Sequence, residues 1–129
     1  MTGVDTNILV RLLTRDDEDQ FQKAFALFDK DTVFISDTVI LETEWVLRFA
    51  YSFKSNEICD AFIKLLSLTN VKTKNPDTLF SALEWTRKGL DFADALHLAC
   101  CKDCGHFATF DADFIRRSNG LGKCVVKMP

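Results

Sequence analysis

At 129 residues, with 47% hydrophobic and 27% charged side chains, the chain is long enough for one core and too short for two comfortable domains. Only 2 Pro and 5 Gly occur, no stretch is low-complexity, and no apolar run approaches the ~20 residues of a membrane-spanning helix. The net charge of −3 neither supports nor excludes nucleic acid as a partner.

In chain order, Thr2–Val4 is a short β-type segment running into the polar Asp5-Thr6-Asn7, which starts a first helix carrying Arg11. Asp16-Asp17-Glu18-Asp19 puts negative charge in the first turn of a second helix, and Phe21, Ala24, Phe25 and Phe28 recur at helical spacing. Thr32–Ile35 is the next strand. A largely buried helix is expected from Asp37 to Ala50, and Ser55 is the expected N-cap of the helix whose apolar face is Ile58, Phe62, Leu65 and Leu66. A weaker strand lies around Val71–Thr73. Pro76 opens a helix running to Lys88 and stopped by Gly89, and Asp91 caps Phe92–Cys101. Phe107–Phe110 and Cys124–Val126 complete the strands.

Short apolar strands alternating with helices imply a parallel sheet covered on both faces. The expectation is a single α/β domain over residues 1–129, a three-layer α/β/α sandwich with a parallel sheet of about five strands. The N-terminus lacks the basic start and apolar run of a signal peptide, so a cytoplasmic location is expected. Cys59, Cys100, Cys101, Cys104 and Cys124 show no disulfide-framework spacing, in keeping with a reducing compartment. Cys101-Lys102-Asp103-Cys104 is formally C-x-x-C but has no second pair to complete a zinc site; buried thiols at a helix end are expected.

Open sheets of this type place their sites beyond the carboxyl ends of the strands. Asp5 ends the first strand and Asp111 the fourth; Glu42 and Asp94 fall early in helices that begin on that edge. Clustered carboxylates repel unless a cation is present, and oxygen-only clusters suit hard ions such as Mg2+ or Mn2+. Each acid also has a structural alternative. Asp5 is placed to cap the first helix, Glu42 to pair with Arg11 or Arg48, and Asp111 and Asp113 to be turn residues. Asp91 is better explained as a cap. Without the four acids, the 19 acidic against 16 basic residues come close to balance.

Val4-Asp5-Thr6-Asn7-Ile8-Leu9-Val10-Arg11 resembles the opening motif of the VapC-type PIN-domain toxins. Val39–Leu47 resembles their second motif, in which the acid three residues before the Trp is the metal ligand, here Glu42 and not Glu44. Phe92–Leu96 resembles the third, with Asp94, and Thr109–Phe114 the fourth, with Asp111. The resemblance runs from residue 4 to about residue 126, in order and with no motif acid missing.

It implies a metal-dependent endoribonuclease that hydrolyses RNA, a Mg2+ or Mn2+ cofactor held by Asp5, Glu42, Asp94 and Asp111, a homodimer, and inhibition by an antitoxin. Thr6 or Asn7 would position Asp5 or touch a phosphate, Thr109 and Asp113 would support Asp111, and Arg11 would bind phosphate or brace Glu42. His97, one turn after Asp94, is expected to be a packed or semi-exposed helix residue, and Arg87-Lys88 and Arg116-Arg117 are solvated by default. Some of the Phe residues between 21 and 62 are expected to be exposed to a protein partner. Two other functions compete: a non-catalytic PIN-like binding module, and an aspartate-based phosphatase, weakened because Asn7 replaces the second acid of D-x-D.

Overall fold

The chain enters β1 (Thr2–Gly3) and turns at Asp5 into α1 (Thr6–Thr14); α2 (Glu18–Lys30) follows from an Asp17 cap. The computed structural model describes residues 1–129. β2 (Val33–Phe34) leads through a Ser36 cap into α3 (Asp37–Phe49), then α4 (Ser55–Leu66) and β3 (Val71–Lys72). α5 (Pro76–Arg87), α6 (Phe92–Cys100), β4 (His106–Ala108), α7 (Ala112–Arg117) and β5 (Val125–Lys127) complete the order.

All the strand pairs are parallel, as α/β patterning requires, and the chain forms two compact units, residues 1–76 and 77–129. The first holds the sheet β1-β2-β3, with Thr2 opposite Val33 and Val33 opposite Val71; the second holds β4-β5, with His106 opposite Val125. The five expected strands are thus present, hydrogen-bonded as a set of three and a set of two.

In residues 1–76, α1 packs on α2 and α3, and α3 on α4. Leu9, Ile35, Ile40, Leu47 and Phe62 are fully buried there. Asn70 fastens the entry to β3: its side-chain N–H groups donate to the carbonyls of Phe28 (2.6 Å) and Asp31 (2.8 Å), and its own carbonyl accepts from Val33. In residues 77–129, α7 packs on β5, and Leu79, Ala82, Leu83, Ala95, Leu98 and Ala99 are buried.

Gly89 ends α5 as the pattern requires. With φ +109 it donates to Thr86, while Leu90 donates to Trp85, the paired bonds of a Schellman stop that a β-carbon would strain. Other boundaries shift. Ser55 is the first helical residue, not the cap; Lys54 takes that place, and the Glu57 carboxylate accepts its backbone N–H at 3.0 Å. The last strand begins at Val125 because its ladder starts where Val125 N–H meets the Gly105 carbonyl, which leaves Cys124 buried just ahead of it. No helix is long and apolar enough to cross a membrane.

Candidate active site

Asp5 lies two residues past β1, in extended conformation, and its Oδ1 accepts the Ile8 backbone N–H at 3.1 Å. The carboxylate satisfies one of the unpaired donors at the start of α1, so the side chain is exposed but fixed. Asp111 repeats the device three residues past β4: Oδ1 accepts from Asp113 (2.9 Å) and Phe114 (3.1 Å), while Thr109 Oγ1 accepts the Asp111 N–H at 3.1 Å. The capping role anticipated for Asp5 and the turn role for Asp111 are both present. Each leaves a second carboxylate oxygen outside the cap.

Glu42 is exposed on α3, although Ile40, Leu41 and Trp45 around it are apolar. The Thr6 hydroxyl, itself buried, donates to Glu42 Oε1. Thr6 therefore braces Glu42, whereas the sequence pointed it at Asp5. The arginines expected to compete for Glu42 are engaged elsewhere. Arg48 makes a two-pronged pair with the buried Glu44, Nε at 2.9 Å and Nη2 at 3.0 Å, and Arg11 binds Asp16 (3.0 Å), Gln20 (2.6 Å) and Tyr51 (3.2 Å). Arg11 is thereby drawn into a network at the far end of α1 rather than bracing Glu42. The two nearby acids thus differ: Glu44 is a buried ion-pair residue, and Glu42 is exposed with the Thr6 hydroxyl as its donor.

Asp91 caps α6, its Oδ2 accepting the Asp94 N–H at 3.3 Å. Asp94 is half-buried, and its carboxyl is pushed above the ordinary range by burial first, then by the charges of Asp91 and Asp111, with His97 acting the other way. His97 itself is exposed. No lysine or arginine forms an ion pair with Asp5, Glu42, Asp94 or Asp111. Asp113 pairs with Arg116 at 2.8 Å, and Asn7 is exposed.

One acid was not singled out by sequence reasoning. Asp37, at the start of α3, has a buried Oδ1 with no hydrogen-bond partner. It lies three residues past β2, at the same sheet edge where Asp5 follows the parallel β1. The available signal was its position beyond a strand end, shared with many capping residues.

In chemistry, oxygen-only donors suit a hard cation: Asp37 keeps an unsatisfied buried oxygen, and Asp94, raised by burial first, also feels like charges from Asp91 and Asp111 that a cation would relieve. No group of three or more His, Cys, Asp or Glu side chains stands arranged as metal ligands. A cleft of about 370 Å³ in residues 77–129, lined by Ser81, Trp85, Lys102 and Lys123 among others, includes none of the four acids.

No curated protein sequence matches the chain. Among solved structures it is similar to VapC20 of Mycobacterium tuberculosis, described as a sarcin-ricin loop cleaving toxin, with 24% identity and a TM-score of 0.46 over 97% of this chain and 99% of that one. The PIN domain family model matches residues 4–119, from the residue before Asp5 to beyond α7. With the match covering most of its length, the chain belongs to the PIN domain family.

Proposed function

We propose that residues 1–129 form one nuclease domain, a Mg2+- or Mn2+-dependent endoribonuclease with Asp5, Glu42, Asp94 and Asp111 as its metal-binding acids. The observation that carries the reading is the family match over residues 4–119, a range that includes all four acids. The local surroundings support it residue by residue: each acid is exposed or half-buried, and none is ion-paired with a lysine or arginine.

Divalent ions bound to such acids supply phosphodiester alignment, a water of lowered pKa and stabilisation of the leaving oxygen. The chain's own part is to hold the acids still. The α1 and α7 caps orient Asp5 and Asp111, and Thr6 orients Glu42. The likeness of the motifs to VapC-type toxins extends the proposal to a toxin of a type II toxin–antitoxin pair. Such a protein would act in the cytoplasm as a homodimer and be held in check by an antitoxin.

Purified protein incubated with total RNA and Mg2+ or Mn2+, with EDTA, and as Asp5→Asn tests the reading. Discrete metal-dependent cuts absent from the variant are expected. No cutting under any condition would leave a non-catalytic binding module.

A further inference from the structure

The C-x-x-C segment has no part in the acid site, and its geometry is not that of the buried structural thiols expected from sequence. Cys101 is the C-cap of α6, and Cys104 N–H donates to the Cys101 carbonyl at 2.9 Å, closing a turn over Lys102 and Asp103. A bond of this span brings the two Cα atoms within about 7 Å, the outer reach of a disulfide. Cys104, Cys124 and Cys100 all lie close enough to Cys101 to act on its thiol. Cys104 is exposed, Cys101 half-buried and Cys124 buried, and none of the five cysteines is in a disulfide. These thiols are not arranged as metal ligands.

We propose that Cys101 and Cys104 are a peroxide-reactive dithiol that closes to a reversible disulfide across the turn. The exposed Cys104 sulfur, as thiolate, attacks the O–O bond of a hydroperoxide, giving Cys104 sulfenic acid and, with hydrogen peroxide, hydroxide. The Cys101 sulfur then attacks Cys104, the S–S bond forms, the S–O bond breaks, and the oxygen leaves as water with the Cys101 proton. In sum two thiols and one hydrogen peroxide give one disulfide and two waters; each sulfur loses one electron and the peroxide gains two.

The order of events follows from the surroundings. Burial, then the neighbouring Cys104, pushes the Cys101 thiol up, so it stays protonated until the sulfenic acid forms beside it. Cys104 meets the solvent and therefore the oxidant first. A thiol-bearing reductant such as glutathione or a dithiol protein reverses the step by exchange at the exposed Cys104 sulfur.

The experiment oxidises fully reduced protein with graded hydrogen peroxide at neutral pH, traps the remaining thiols by alkylation, and reads intact mass and a tryptic map. Cleavage after Lys102 separates the two cysteines, so their disulfide is seen as a linked peptide pair. Loss of two thiols, with Cys101 joined to Cys104, is expected in the native chain with its five cysteines and in Cys100→Ser and Cys124→Ser with four each. Cys101→Ser should stop at oxidised Cys104, and dithiothreitol should restore all thiols to the native chain. An unchanged thiol count in excess peroxide, overoxidised Cys104 without a disulfide in the native chain, or a link to another cysteine overturns the proposal.

Discussion

Around the start of α2 each of two acids has found a partner, whereas Asp94 faces acids. Asp16 takes Arg11 and the Tyr51 hydroxyl, and its carboxyl is lowered by Tyr51 first and by Thr14 and Arg11 as well. Glu18 takes Arg15 and Gln22, and falls from 4.5 to about 2. Asp94 is raised instead, by burial and by Asp91 and Asp111. The first arrangement favours the ionised acids and the fold together. The second sets ionisation of the acid against the fold, a cost that the proposed cation would offset.

Removing a proposed ligand is the hardest blow to that contrast. Asp94→Asn and Asp111→Asn should each cut RNA cleavage by about 10³-fold or more while far-UV circular dichroism stays native, since each loses charge at little change of shape. Asparagine also caps helices, so Asp5→Asn keeps the start of α1, while Asp5→Ala should lose about 1 kcal/mol of stability as well. Full activity in Asp94→Asn would sink the four-acid reading.

Next in size is the brace. Thr6→Val should lower cleavage by about 10–100-fold with the fold intact, because Glu42 loses its donor. Wild-type rates would mean Glu42 needs no positioning. On the paired side, Arg48→Ala leaves the buried Glu44 carboxylate short of its partner. Urea unfolding should report a loss of about 1–3 kcal/mol, with cleavage retained below the transition.

The smallest effects are in stability against pH. A raised Asp94 binds its proton in the fold more readily than in the unfolded chain, so stability falls as pH climbs from 3.8 through the raised value. Metal-free Asp94→Asn should therefore melt higher at neutral pH, by roughly 1–3 °C, and the gap should close in acid. Glu18 has the opposite sign: its contribution is present above pH 4.5 and is lost as pH falls through about 2. Glu18→Gln should be slightly less stable at pH 7 and indistinguishable at the acid end, being fully exposed.

The elements were legible because their causes are local. Gly89 stops α5, Asp91 starts α6, and acid in the first turn marks α2. Strand ends were less so: Thr32–Ile35 reads as four residues, yet the ladder assigns two, since pairing depends on chain 30 to 40 residues away. Within the candidate site the same divide holds. That Asp5 would cap a helix could be read from strand-then-helix patterning, whereas Asp111 read as a turn residue and the short α7 it caps was not expected. That Thr6 would choose Glu42, or Arg11 choose Asp16, Gln20 and Tyr51, could not, because side-chain partners across helices leave no periodic trace. Asp37 escaped for a similar reason, an unsatisfied oxygen being a property of its surroundings.

The strands themselves, two or three residues each, bear on behaviour in a crowded solution. A sheet margin that short presents few unpaired backbone groups, so it is a poor template for another chain to extend. Self-association of this protein should instead be led by its bared rings, Phe25, Trp45, Phe49 and Phe110, and should respond to detergent and to aromatic substitution more than to changes at the strand edges.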